Sequence, residues 1–234
     1  RDPGQEPMTR RANLSIDLDG LAHYHRIHGL VDAAPSNVAY LVALPRLLAL
    51  CDELGIKATL FVITADLELE GVPEALRAAV AAGHEVASHT HRHPYHLREL
   101  PDAALADEID TAARRLRDVV GTSVVGFRAP GYNVDDRVLQ LLAERGYRYD
   151  SSVFPCPAYF AAKAGIMFWM ASRGRASGSA TTDPRALLAP IDPYRPSRWS
   201  FWRRGDRKHS LPIWEFPVGV LAGSRAPVIG TTVC

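Results

Sequence analysis

Lys57 to Ser88 read KATLFVITADLELEGVPEALRAAVAAGHEVAS. Ala58, Leu60, Phe61, Val62 and Ile63 make a short apolar run. A strand covered on one face alternates apolar and polar residues, whereas one covered on both faces reads as nearly continuous apolar sequence. Lys57 to Ile63 is therefore expected to be a buried strand of a parallel sheet. Pro73 to Ala82 predicts a helix, which Gly83 closes. Glu85 to Ser88 predicts a second short strand. Strand, helix and strand with connections this short imply two parallel strands joined by a right-handed crossover.

The same alternation extends in both directions. Upstream, Ala12 to Asp17 reads as a short buried strand ending in a polar segment with Asp17, Asp19, His23, His25 and His28. Leu44 to Leu54 reads as a helix, with Pro45 in its first turn and Cys51 on its apolar side. Downstream, Asp102 to Val119 gives the clearest helix. Leu105, Ile109, Ala112, Leu116 and Val119 form one stripe, and Asp107, Glu108, Asp110, Arg114 and Arg115 are expected to face water. Ser123 to Phe127 is a strand, Asp135 to Glu144 a helix closed by Gly146, and Tyr147 to Asp150 another strand.

After Ser152 the pattern weakens. Residues 155–210 read as a long irregular insertion over the barrel face, and Ile213 to Val220 as a returning strand. The expected domain plan is an N-terminal tail at 1–11 and one α/β domain over 12–234. The expected fold is a parallel barrel, whose sites lie at the C-terminal ends of the strands.

Composition narrows the function. Of 234 residues, 47% are hydrophobic and 23% charged, with a formal net charge of +1. That balance gives no field that would draw the whole molecule to nucleic acid. Arg198, Arg203, Arg204, Arg207 and Lys208 form a local basic run. It reads as a solvated loop, with contact to an anionic substrate as the alternative. Trp199 and Trp202 read either as packing or as a sugar platform. No apolar stretch is long enough to span a membrane. No apolar leader precedes the first strand, so a cytoplasmic location is expected. Cys51, Cys156 and Cys234 match neither a disulfide framework nor a Cys-x-x-Cys zinc site.

Three segments carry chemistry, and each follows a predicted strand. In His89-Thr90-His91-Arg92-His93, two histidines four apart can present imidazole nitrogens to one cation, or can be merely packed or solvated. Ser15-Ile16-Asp17-Leu18-Asp19-Gly20 places two carboxylates past a strand. One could complete a His/His/Asp metal set and the other accept a proton; Asp-x-Asp-Gly is also ordinary turn chemistry. In Phe127-Arg128-Ala129-Pro130-Gly131-Tyr132-Asn133, Arg128 could pair with a site carboxylate. The turn after it could aim a backbone N–H at an oxyanion, or be a plain turn.

Together these segments resemble the polysaccharide deacetylases (the NodB-homology group, carbohydrate esterase family 4). GHEVASHTHRHP at 83–94 is similar to the family's metal motif and FRAPGY at 127–132 to its arginine motif. YRYDSSVFP at 147–155, WEFPV at 214–218 and ATLFV at 58–62 also read like family segments. The resemblance covers about residues 12–152 and 211–220. It implies a distorted (β/α) barrel with fewer than eight strands and hydrolysis of an N-acetyl amide by a metal-activated water. It further implies Asp19, His89 and His93 as metal ligands and Asp17 as general base. Arg128 would steady the base, and the Tyr132 backbone N–H would hold the oxyanion. One divalent metal is expected, zinc first, with nickel, cobalt or iron able to use the same ligands.

The sequence departs from the family pattern in two ways. Leu18 separates two aspartates that are normally adjacent, so base and ligand could be exchanged between Asp17 and Asp19. This spaced form also looks like relatives acting on lipid-linked or nucleotide-linked sugars, including a formamido-arabinose deformylase. Nothing after Trp214 matches the family's late general-acid histidine; His23, His25 and His209 are the substitutes considered. The expected substrate is an N-acetylated or N-formylated amino sugar of a polysaccharide or its precursor. Two rival expectations are a catalytically silent carbohydrate binder and an amidohydrolase of a small non-sugar amide.

Overall fold

The structure is a computed structural model and describes residues 12–27, 34–174 and 182–229. The residues of the expected N-terminal tail, together with His28 and Cys234, lie outside these ranges. Six parallel strands form the main sheet: β1 Leu14–Asp17, β2 Ala58–Val62, β3 Glu85–Ser88, β4 Gly126–Phe127, β5 Tyr149–Asp150 and β8 Trp214–Glu215. They lie side by side in that order and curl into part of a barrel, as the sequence implied. A short antiparallel hairpin, β6 Pro196–Ser197 and β7 Ser200–Arg204, precedes β8. The helices are α1 Leu21–Ile27, α2 Leu44–Glu53, α3 Val72–Ala81, α4 Asp102–Val120, α5 Asp136–Glu144 and α6 Pro157–Ser172.

The apolar run that predicted β2 is buried at every position. Leu76 of α3 and Leu116 of α4 pack against Leu60 and Val62 in one core cluster. A second cluster joins Leu105, Ile109, Phe127, Leu139, Leu142 and Ile213, residues of α4, β4, α5 and the segment before β8. The Asp135 side chain caps α5 by accepting from the Val138 N–H at 2.9 Å. Among the described residues no helix is long and apolar enough to cross a membrane.

Gly126 in β4 lies against the Tyr149 ring of the neighbouring strand, and a Cβ there would overlap the phenol. Gly126→Ala should therefore destabilise the fold by about 1–3 kcal/mol, as overpacking does. Urea unfolding checks this, and an unchanged midpoint would contradict it.

The polar segment after β1 is helical, as α1. Four expectations are corrected. The region expected to be irregular contains α6, the short 3₁₀ helix Pro184–Leu188 and the β6–β7 hairpin. The α6 helix was hidden because PAYFAAKAGIMFWMAS is apolar nearly all round, which gives no stripe for periodicity to detect. Its start is nonetheless specified, since the Cys156 sulfur accepts from the Tyr159 N–H and Pro157 occupies the first turn. Glu108 does not face water: it is 6% exposed and turns inward. The strands expected at Ser123–Phe127 and Ile213–Val220 shrink to two residues each.

The basic run lies on the β6–β7 hairpin and the turn after it, and its side chains are exposed. Trp202 packs on the second core cluster, with the Arg203 guanidinium 4.1 Å from its ring centroid. Trp199 is exposed and stacks with His209.

Candidate active site

The C-terminal ends of β1, β3 and β4 bring the three motif segments together. His89 follows β3 directly. Its Nδ1 lies 2.7 Å from the Arg128 carbonyl, an atom that can only accept. Nδ1 therefore donates to it, and Nε2 is the nitrogen turned toward the other site residues. That Nε2 lies 3.2 Å from Nε2 of His93. Oδ1 of Asp19 lies 3.5 Å from both nitrogens.

These spacings suit a shared cation. Four ligands at zinc–nitrogen distance in tetrahedral arrangement stand about 3.3 Å apart, from bond lengths of roughly 2.0–2.1 Å. Oδ1 of Asp19 is buried and has no hydrogen-bond donor among the described residues. A buried carboxylate oxygen without a donor is costly, and a cation between it and two imidazoles would remove that cost. Among the described residues, this trio is the group of His, Cys, Asp or Glu side chains able to hold a metal.

The electrostatics agree with the geometry. Burial, followed by the neighbouring His89, pushes His93 well below the ordinary imidazole range, so its ring is neutral and can ligate. Burial raises the Asp19 carboxyl; His89 opposes this and Asp17 adds to it.

The two histidines are not on a helix. Thr90 and His93 both have positive φ, at 67° and 58°, a region that non-glycine residues rarely adopt. The hook formed this way turns His91 aside, with its Nδ1 2.9 Å from the Thr64 hydroxyl. Buried Glu108 holds the hook, because its carboxylate accepts from the His91 and Arg92 N–H groups at 3.0 and 2.8 Å. Such strain persists only where surrounding bonds enforce it, and it concentrates at functional sites.

Arg128 follows β4 and is buried. Its Nη1 donates to Oδ1 of Asp17 at 2.7 Å. Nη2 donates to the hydroxyls of Ser15 and Ser151, and Nε to the Ser151 carbonyl, each at 2.8 Å. The guanidinium also sits over the Phe61 ring, 4.1 Å from its centroid. All five contacts hold the fork in one orientation. Asp17 is thus bound to Arg128, while Asp19 faces the histidines.

The Tyr132 backbone N–H donates to the Ala129 carbonyl at 3.1 Å, so as an oxyanion donor it would be shared with that bond. Gly131 and Tyr132 both have positive φ in this turn, and a Cβ on Gly131 would press on the Tyr95 ring at 3.0 Å. The Tyr132 ring packs against Phe154 and Tyr159, and burial raises its phenol.

Of the histidines considered as acids, His23 lies against the trio, its ring centroid 5.2 Å from that of His93. Its Nε2 is 3.3 Å from Oδ1 of Asp66, and the Tyr40 hydroxyl donates to the other Asp66 oxygen at 3.1 Å. His209 lies in the turn after the hairpin, paired with Asp206. Two clefts flank the trio: one of about 510 Å³ reaches His93 and Tyr95, and one of about 460 Å³ reaches His23 and Asp66.

Sequence reading had not singled out Ser15, Tyr40, Asp66, Glu108, Ser151 or Ser152. Each acts through a contact made far along the chain. A polar residue beside a motif, as in Ser15 and the Ser151-Ser152 pair, was the only available signal.

Comparison with known proteins fits this architecture. The polysaccharide deacetylase family model matches residues 31–149, just over half of the chain. A peptidoglycan deacetylase-like protein of Gibberella zeae is 28% identical over 145 residues, covering 60% of this chain and 43% of that protein. A peptidoglycan deacetylase of Helicobacter pylori is 29% identical over 147 residues, covering 59% and 47%. The chain thus spans less than half the length of these two relatives. A crystal structure from Mycobacterium smegmatis, assigned to the polysaccharide deacetylases, superposes with a TM-score of 0.58 at 23% identity. It covers 88% of this chain and 58% of that one. Fold, motif order and family match agree, and the chain belongs to the polysaccharide deacetylase family.

Proposed function

We propose that this chain hydrolyses the N-acetyl or N-formyl amide of an amino sugar, in a polysaccharide or a lipid- or nucleotide-linked precursor. The observation that carries this reading is the Asp19–His89–His93 trio set beside the Asp17–Arg128 ion pair. The trio would hold one divalent cation. Two imidazoles and a carboxylate favour zinc, and nickel, cobalt or iron fit the same donors. When bound, such a cation supplies Lewis-acid polarisation of the amide and an acidified water.

The chain's own residues supply the rest. Arg128 occupies Oδ1 of Asp17, so Oδ2 is the oxygen left to take a proton from the attacking water. The bonds from Ser15 and Ser151 to Arg128 keep that carboxylate from swinging. The Arg128 carbonyl fixes the His89 tautomer, a common role for the partner of a metal-ligating histidine. The amine leaving group needs a proton, and His23, whose ring lies against His93, is the proposed donor.

The test is acetate or formate release from N-acylated amino-sugar oligomers and peptidoglycan fragments, beside a small non-sugar amide such as allantoin. Release from the sugars that stops on chelation and returns with zinc is the expected result. Hydrolysis of the small amide alone would favour the amidohydrolase reading. Sugar binding without release, with metal present, would favour a silent binder.

A further inference from the structure

Asp150 and Glu215 stand opposite each other in register on β5 and β8. Both are fully buried. The cation nearest them, Arg128, spends its donors on Asp17, Ser15 and Ser151. Asp150 accepts from the Ser152 hydroxyl at 2.6 Å and the Ser152 N–H at 3.2 Å. Oε1 of Glu215 accepts from the Val153 N–H at 3.0 Å. Oε2 of Glu215 is buried and has no donor among the described residues, and the residue paired with it across the two strands is Asp150. Two buried carboxylates cannot face each other in this way unless a proton lies between them.

We propose that Glu215 is a neutral carboxylic acid donating its O–H to Asp150, and that this one-proton pair is a positioning element for Arg128. The connection is continuous. The Ser152 hydroxyl that donates to Asp150 accepts from the Ala129 N–H at 2.7 Å, next to Arg128 in the chain. Ser151, between Asp150 and Ser152, holds Arg128 through its hydroxyl and its carbonyl. The Ser151 hydroxyl in turn donates to the carbonyl of Phe216, the residue after Glu215. The acid pair thus pins the loop in which the guanidinium rests.

Burial first, and Asp150 second, push Glu215 well above the ordinary carboxyl range; Asp150 is also raised, chiefly by burial. The other titratable or charged groups facing the pair are Arg128 and Tyr194. A group whose folded pKa is raised contributes stability that is lost as pH rises from its unfolded value toward its folded one. Wild-type stability should therefore decline with pH above the ordinary carboxylate range, and Glu215→Gln should remove part of that decline.

The positioning role rests on Asp17 as the base, so the experiment keeps the two readings apart. Infrared spectra of the metal-loaded wild type at neutral pH should show the carbonyl band of a protonated carboxylic acid, absent from E215Q. E215Q, whose amide can replace the O–H donor, should keep kcat within roughly threefold. Glu215→Ala should lower kcat on the order of 10- to 100-fold with metal content unchanged. The ¹⁵N resonance of Arg128 Nε should shift in E215A and hold in E215Q. If E215A fails to fold, E215Q and the wild-type band still decide. A wild type without the band, or an E215Q that loses as much kcat as E215A or shifts Arg128 Nε, overturns the proposal. A wild type with the band and the Arg128 response but no turnover on any sugar refutes the deacetylase reading alone.

Discussion

Asp17→Asn should lower turnover roughly 10²–10⁴-fold, the usual worth of a positioned general base, while the metal content per chain stays unchanged. Asparagine has the same shape, and its carbonyl oxygen can still accept from Arg128 Nη1, so the 2.7 Å contact need not break. It lacks the basic oxygen that would take the proton. The measurement is kcat on N-acylated amino-sugar oligomers, with metal analysis of the same samples. Full activity would exclude Asp17 as base. Loss of metal along with activity would make Asp17 a ligand and exchange its role with Asp19, the alternative that the spaced aspartates left open. The geometry supports the first assignment, since Asp19, and not Asp17, lies within 3.5 Å of both imidazole nitrogens.

His93→Ala should lower bound metal from about one per chain to nearly none and abolish turnover with it, because a three-residue site cannot spare a ligand. His93 is fully enclosed, against His89, His23 and Tyr95. Removing its ring therefore leaves a hole as well as an empty ligand position. Far-UV circular dichroism of the variant separates loss of the site from loss of the fold. Retention of metal at the wild-type level would refute the ligand set. Absence of metal from both proteins, even after incubation with zinc, would make the silent carbohydrate binder the leading reading.

Much of this architecture was legible because it depends on short-range patterns. The run in β2, the stripe of α4 and the glycines that close α3 and α5 each state a local preference that packing did not overrule. The fully apolar α6 could not be read this way, since periodicity needs contrast between two faces. Glu108 was misread for the opposite reason. Its charge assigns it to water, yet by position it lies at the edge of the apolar stripe, three residues after Leu105 and four before Ala112, where its carboxylate accepts from the His91 and Arg92 N–H groups. The Tyr132 N–H is an oxyanion donor by the family resemblance alone, and the bond it makes to the Ala129 carbonyl is a feature of the folded turn that the motif does not state.

The sequence by itself determined the alternating parallel fold, the three segments that meet at its strand ends and the donor types they carry. Those properties follow from side-chain chemistry and spacing along one chain. Only the tertiary structure decided which aspartate meets the histidines, which one Arg128 holds, and that Asp150 and Glu215 face each other out of water. Each of these is a contact between residues far apart in the chain. Its geometry is set by how strands align in register and how much solvent they exclude, and no local pattern encodes either quantity.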